Sequence, residues 1–206
     1  MIDVTVAVLA GGNSKRFGSE KALTMFQGRP LVSHMLDIAR KISPSLLVVV
    51  SDDEQSERVR PYVKAARAVV DPEASTKSAL NGAVTAFEYA ETEYTLLLPI
   101  DTPLARPSLL KMLVEMSPKH GAVVPSWPSG YIEPLHSVYM TEHAYYHGLK
   151  VIENRLFKMR NLLDHLQHVL YVSTEALKQS DAELETFKNF NTLGELKAAE
   201  GKYSRE

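Results

Sequence analysis

The sequence predicts a three-layer α/β/α fold, Rossmann-like, in which helices cover both faces of a mostly parallel sheet. Three observations predict it. Apolar β-branched runs alternate with helix-period segments through the first half of the chain. The first run, Val4-Thr5-Val6-Ala7-Val8-Leu9, shows no polar alternation, as befits a strand buried on both faces. It is closed by Ala10-Gly11-Gly12, a turn that leads into a polar loop. Right-handed crossovers between such strands leave the ligand site outside their carboxyl ends.

The elements follow in order. Pro30 starts a helix through Leu31, Met35, Leu36, Ile38 and Ile42, and Ser43-Pro44 stops it before the strand Leu46–Val50. A polar helix is expected over 57–64, a short strand over 68–70, a helix over 78–90 and a strand over 94–98 ending at Pro99. In the second half, Pro125, Pro128, Gly130 and Pro134 crowd the stretch between strands expected at 122–124 and 135–139. Helices from Thr141 and over 156–166, a strand over 169–172 and a last helix from Leu193 complete the reading. This second half is an edge elaboration of one domain spanning 1–206, since no composition break or repeat divides the chain.

Composition narrows the function. The 23 basic and 25 acidic residues nearly balance, which argues against a basic nucleic-acid-binding stripe and makes any phosphate recognition local. With no cysteine, disulfides, zinc-thiolate sites and thiol nucleophiles are excluded, so the chemistry falls to oxygen and nitrogen ligands. No apolar run approaches the ~20 residues of a membrane helix, and the chain reads as cytoplasmic, with no membrane or nucleic-acid partner.

Segment 9–23 carries three glycines, the Ser14 hydroxyl, and the cations Lys15, Arg16 and Lys21. Backbone amides at side-chain-free positions can approach a phosphate closely, and Arg16 and Lys21 can neutralise it. This is a phosphate cradle, but neither a P-loop nor a G-x-G-x-x-G turn; the plainer alternative is a solvated basic loop. Asp101 ends an apolar strand between two prolines, which places a hard carboxylate at the sheet's carboxyl edge in a setting suited to Mg²⁺. It could equally cap the helix beginning near residues 103–107. Asp71 also ends a strand, or else simply turns the chain before Pro72.

Together these residues carry a resemblance. Leu9-Ala10-Gly11-Gly12-Asn13-Ser14-Lys15-Arg16-Phe17-Gly18-Ser19-Glu20-Lys21-Ala22-Leu23 resembles the signature loop of nucleotidyltransferases, of the nucleotide-diphospho-sugar transferase fold, and most the molybdenum cofactor guanylyltransferases of the MobA type. Pro99-Ile100-Asp101-Thr102-Pro103 resembles that family's metal-binding D-x-P, Gly130-Tyr131-Ile132-Glu133-Pro134-Leu135 its acceptor-side loop, and Asn189-Phe190-Asn191-Thr192 its N-x-N-T motif. Two departures stand out: Phe17 replaces the usual Met, and Lys77-Ser78-Ala79-Leu80-Asn81-Gly82 replaces a Gly-Pro-Leu-Ala-Gly segment, with Gly82 the clear match.

The resemblance implies an enzyme that takes GTP with Mg²⁺ and transfers GMP to the terminal phosphate of a molybdopterin-type acceptor. It implies catalytic roles for Arg16, Lys21 and Asp101, and nucleotide binding by Leu9, Ala10, Gly11, Gly12, Ser14, Lys21, Asp71, Gly82 and Asp101. It further implies metal contacts from Asp101 and Asn191 and acceptor binding by Glu133 and Asn189. Asn191-Thr192 also reads as the N-cap of the last helix. Transient contact with cofactor-delivering or acceptor proteins is the partner expectation. The alternatives are an adenosylcobinamide-phosphate guanylyltransferase, a CTP-using relative, and a non-catalytic nucleotide sensor on the same fold.

His143 and His147, four residues apart, share a helical face as zinc ligands would, but lack the intervening glutamate of H-E-x-x-H; they are expected to be surface histidines, as are His165 and His168. The Leu156, Leu162, Leu163, Leu166 series is expected in the core.

Overall fold

The computed structural model describes residues 2–11, 20–71 and 77–203. The chain runs β1 (Val4–Leu9), a 3₁₀ turn at Lys21–Leu23, then β2 (Met25–Phe26) and β3 (Arg29–Pro30), which form a small antiparallel hairpin. Gln27 and Gly28, both at positive φ (46° and 73°), make its two-residue turn. There follow α1 (Leu31–Arg40), β4 (Leu46–Val50), α2 (Asp53–Val59), β5 (Arg67–Val70), α3 (Ala79–Tyr89), β6 (Tyr94–Pro99) and α4 (Pro107–Glu115). The second half supplies β7 (Ala122–Ser126), β8 (Val138–Met140), α5 (Thr141–Glu153), α6 (Met159–Leu163), β9 (Val169–Ser173), α7 (Thr174–Leu177) and α8 (Leu193–Tyr203).

The strands form a seven-stranded sheet in the order β5-β4-β1-β6-β8-β7-β9. β1 pairs in parallel with β4 and β6, β4 with β5, and β7 with β9, while β8 runs antiparallel to both β6 and β7. Among the described residues β8 alone opposes the others. The ends of β5, β4, β1, β6 and β7 therefore all open on one edge of the sheet.

The period-2 geometry of β1 divides the core. Val4, Val6 and Val8 pack on one face with Leu31, Met35 and Leu36 of α1 and Leu109, Leu110 and Leu113 of α4. Ala7 and Leu9 pack on the other with Leu80, Ala83 and Phe87 of α3, Val151 of α5 and Leu162 and Leu163 of α6. Burial on both faces accounts for the unbroken hydrophobicity of β1, β4 and β6, each such side chain contributing about 1.5–3 kcal/mol.

Some expected elements move. The polar helix over 57–64 starts earlier, because the Asp52 carboxylate accepts the Gln55 N–H at 2.7 Å and caps α2, and Pro61 lies in a 3₁₀ turn, Arg60–Tyr62. The strand expected over 135–139 begins only at Val138. Pro134 has no N–H for a ladder, and the Glu133 carbonyl collects both the His136 N–H (3.0 Å) and the Ser137 hydroxyl (2.7 Å), holding the chain in a turn. The helix over 156–166 contracts to α6: Arg155 takes a left-handed φ of 58° and the Leu156 N–H closes α5 on the Val151 carbonyl, so 155–158 reverse the chain. Leu162, Leu163 and Leu166 are core as expected, whereas Leu156 is exposed. No described helix is long and apolar enough to cross a membrane.

Candidate active site

At the carboxyl edge the chain leaves β1 through Ala10 and Gly11, whose N–H groups both donate to the Val49 carbonyl (2.8 and 3.0 Å). Leu9 and Ala10 are buried and Gly11 is exposed. A Cβ on Gly11 would come no nearer than 3.4 Å to the Ser51 nitrogen, an ordinary contact, and its φ is not in the left-handed region. Neither packing nor backbone conformation therefore demands glycine there, and its value is an uncovered backbone at the exit of β1. Gly12, Ser14 and Arg16 lie outside the described residues.

Gln55 completes this exit and is a residue the motif reading passed over. It is buried; its amide donates to the Ala10 carbonyl (3.1 Å) while its Oε1 accepts from the Ser51 N–H (2.7 Å) and Ser51 hydroxyl (2.8 Å). The ends of β1 and β4 are thereby tied together. Its signal was present in Asp52-x-x-Gln55, the spacing of a capping box. Lys77, exposed, donates to the Ser51 carbonyl at 3.1 Å on the same edge.

Asp71 ends β5, its N–H on the Val50 carbonyl at 2.7 Å and its Oδ1 accepting the Thr85 hydroxyl of α3 at 3.0 Å. Burial pushes its carboxyl above the ordinary range, with the Thr85 hydroxyl and the Lys77 charge pulling it back. Gly82 sits in the first turns of α3, where a Cβ would touch Val49 and Leu9 at 3.9 and 4.0 Å, so it faces the ends of β4 and β1. Ser78 caps this helix by accepting the Asn81 N–H at 3.1 Å.

Asp101 follows β6. The cap reading is overturned: α4 begins only at Pro107 with Arg106 as its N-cap, and the Arg106 N–H is taken by the Thr186 hydroxyl at 3.0 Å. The Asp101 carboxylate instead pairs with the ammonium of Lys21, both side chains largely shielded. The cation and the carboxylate singled out separately in the sequence thus meet at one point. The Asp101 carbonyl accepts the Phe190 N–H at 3.0 Å, which brings the N-x-N-T segment to the same place. Asn189 and Asn191 are exposed there. Thr192 caps α8, its hydroxyl accepting the Glu195 N–H at 3.2 Å, while Glu195 reaches back to the Asn191 N–H at 2.7 Å. The capping role so belongs to Thr192, and the Asn191 amide is not used for it.

Glu133 is not brought to the surface. Its carboxylate is buried and accepts the Trp127 indole N–H at 2.8 Å, inside a loop closed by the Trp127 N–H on Tyr131 and the Gly130 N–H on Trp127, both 2.8 Å. His143 Nε2 accepts the Gln167 N–H at 3.2 Å, the His165 ring bonds the Asn161 carbonyl at 2.7 Å, and burial, helped by the neighbouring His143, lowers the His147 pKa. Among the described residues no three His, Asp or Glu side chains gather to hold a metal.

A glycine-ended strand, a cation and a carboxylate meeting on the next strand's end, and an asparagine segment pinned beside them define an α/β nucleotidyltransferase. Residues 6–169 match the MobA-like NTP transferase domain, and the chain belongs to that family. A relative from Pseudomonas entomophila, molybdenum cofactor guanylyltransferase, is 30% identical over 74% of this chain and 81% of its own length. One from Thermococcus gammatolerans, named a probable molybdenum cofactor guanylyltransferase, is 33% identical over 92% and 95%. The crystal structure of molybdopterin-guanine dinucleotide biosynthesis protein A from Archaeoglobus fulgidus superposes with a TM-score of 0.83 at 27% identity, covering 98% of this chain and all of that one.

Proposed function

We propose that this enzyme transfers GMP from Mg-GTP to the terminal phosphate of molybdopterin cofactor, releasing pyrophosphate. The observation that carries the reading is the meeting of Lys21 and Asp101 at the carboxyl edge, between the exposed Gly11 backbone and the segment anchored through Phe190. The names of the relatives supply the base and the acceptor.

In this reading the backbone from Leu9 to Gly12 admits the guanine and the phosphates, with Ser14, Asp71 and Gly82 around the nucleoside. Arg16 and Lys21 hold the triphosphate. Among the described residues, the Asp101 carboxylate, here paired with Lys21, and the Asn191 amide oxygen would hold a cation, and hard oxygens of this kind, with room left for substrate phosphates and waters, fit Mg²⁺. Bound there, Mg²⁺ supplies charge neutralisation for the departing pyrophosphate. An oxygen of the acceptor phosphate attacks the α-phosphorus of GTP as the bond from that phosphorus to the β-phosphate bridging oxygen breaks. No protein nucleophile is required, and the residues act by orientation and charge. On the acceptor side Asn189 offers an exposed amide, and Glu133 holds the shape of its loop through Trp127.

The test is a panel of the four NTPs with molybdopterin and with cobinamide phosphate, scored by pyrophosphate release. GTP with molybdopterin should dominate, because buried polar groups left unpaired penalise the wrong base. Equal turnover of CTP and GTP would remove the guanylyl assignment, and preference for cobinamide phosphate would reassign the acceptor.

A further inference from the structure

We propose that His136 is a positioning residue, which fixes the turn carrying Asp101 against the segment carrying Asn191. The inference rests on the reading of Asp101 as the metal carboxylate. His136 is 1% exposed and its Nε2 lies 3.3 Å from the hydroxyl of Thr102, the residue after Asp101, itself fully buried. The Thr102 hydroxyl hydrogen is already given to the Pro99 carbonyl at 3.2 Å. A hydroxyl has one hydrogen, so Thr102 accepts from His136 and Nε2 is the protonated nitrogen, a tautomer assigned by the network. The chain His136–Thr102–Pro99 thus clasps the turn on both sides of Asp101.

The same ring meets Phe187 edge-on, centroids 5.3 Å apart at 87°. Phe187 also packs edge-on against Trp127 (6.0 Å) and lies three residues before Phe190, whose N–H holds the Asp101 carbonyl. His136 therefore touches the Pro99–Pro103 segment through Thr102 and, through Phe187, the stretch two residues before Asn189, and it directly follows the Gly130–Leu135 segment, whose Glu133 carbonyl accepts its N–H at 3.0 Å. Its Nδ1 makes no hydrogen bond and lies 3.7 Å from a carboxylate oxygen of the buried Glu133, within ion-pair reach. An apolar side chain of the same size would fill the space; what it would not do is hold Thr102.

Three variants separate the roles: His136→Leu keeps bulk without a donor, His136→Gln keeps a donor at similar reach, and Thr102→Val removes the acceptor without changing shape. The measurements are Mn²⁺ affinity by calorimetry with a non-hydrolysable GTP analogue, kcat and KM for pyrophosphate release, and melting temperature. His136→Leu should weaken Mn²⁺ binding and lower kcat by about 10–100-fold, the size usual for a residue that orients a metal ligand, with KM for GTP unchanged. His136→Gln should recover most of the loss. Thr102→Val should match His136→Leu, and the double variant should be no worse than either single one. Wild-type Mn²⁺ affinity and kcat in His136→Leu, equal failure of His136→Gln while folded, or additive losses would each overturn the proposal. If His136→Leu does not fold, Thr102→Val decides it alone, wild-type Mn²⁺ affinity there being the overturning result. Asp101→Asn is run in parallel. If it keeps Mn²⁺ binding and turnover, the functional reading fails and the positioning role with it; if it loses both while His136→Leu and Thr102→Val do not, only the positioning role fails.

Discussion

The backbone N–H of Phe190 donates to the carbonyl oxygen of Asp101 at 3.0 Å, so the end of β6 and the entry to α8 are joined directly. The Phe190 ring is buried and stacked near Phe26 of the β2–β3 hairpin, centroids 6.3 Å apart. One buried aromatic residue thus secures two exposed asparagines, Asn189 and Asn191, beside the carboxylate that Asn191 is expected to assist.

Thr192 and Asn191 should therefore fail in different ways. Thr192→Ala removes the N-cap of α8 and should lower stability by about 1 kcal/mol with the Mg²⁺ response kept. Asn191→Ala should leave melting unchanged and raise the Mg²⁺ concentration needed for half-maximal turnover. Thermal melting and Mg²⁺ titration of both proteins check the contrast; a reversed pattern would return Asn191 to a capping role.

Lys21 is the second test. Its ammonium already meets the Asp101 carboxylate, and its value as a cation grows as charge shifts onto the departing phosphates. Lys21→Ala should lower kcat by on the order of 10²–10³, by analogy with the loss of one preorganised donor, and raise KM less. Lys111→Ala, on the exposed side of α4, is the control. Equal kinetics of the two variants would leave Lys21 a structural ion-pair partner.

The parallel half of the fold was legible because burial on both sheet faces writes itself as unbroken apolar runs: Val4–Leu9, Leu46–Val50 and Tyr94–Pro99 are strands close to their sequence limits. Strand-end carboxylates could be found for the same reason, since a polar residue ending such a run is conspicuous. What could not be read is decided by partners distant in sequence. The hairpin of Met25–Phe26 with Arg29–Pro30 is too short for a period, and the late start of β8 depends on the Glu133 carbonyl collecting two donors. Glu133 looked like a surface ligand because its motif is recognisable, while its indole partner Trp127 carries no pattern that names it. Gln55 carried a legible capping-box spacing with Asp52, but its link to the end of β1 lies in the bond to the Ala10 carbonyl, 45 residues away.

Gly148 offers a check on the packing of α5 over α3. A Cβ there would fall 2.5 Å from the Val84 Cγ2, far inside contact distance. Gly148→Ala should destabilise by about 1–3 kcal/mol, as overpacked cores do, despite alanine's better helix propensity. Val84→Ala in the same protein should recover part of the loss, a non-additive pair measurable by denaturant unfolding. Additive losses would mean that the two helices do not approach as closely as the structure has them.

Asp71 gives the pH prediction. Burial holds its carboxyl above the ordinary range, opposed by the Thr85 hydroxyl and the Lys77 charge. The folded protein therefore keeps this proton to higher pH than the unfolded chain does. Between the ordinary carboxyl range and the raised value the native state binds more protons, so its stability falls as pH rises through that window, and the deficit persists at neutral pH. Asp71→Asn keeps an oxygen to accept the Thr85 hydroxyl and removes the charge. The variant should melt above wild type at pH 7, and the gap should close as the solution is taken below the ordinary carboxyl range. Asp52 has the opposite sign, since the Gln55 N–H holds its pKa down; Asp52→Ala should be less stable at neutral pH, with a difference that shrinks in acid. If Asp71 faces the nucleotide as proposed, its more stable amide variant should also lose kcat/KM, the exchange of stability for activity expected of a functional carboxylate. Melting curves from pH 3 to pH 8 with parallel kinetics settle the matter: an Asp71→Asn protein less stable than wild type at pH 7, or a gap that widens in acid, would show that the charge at position 71 is accommodated without strain on the fold.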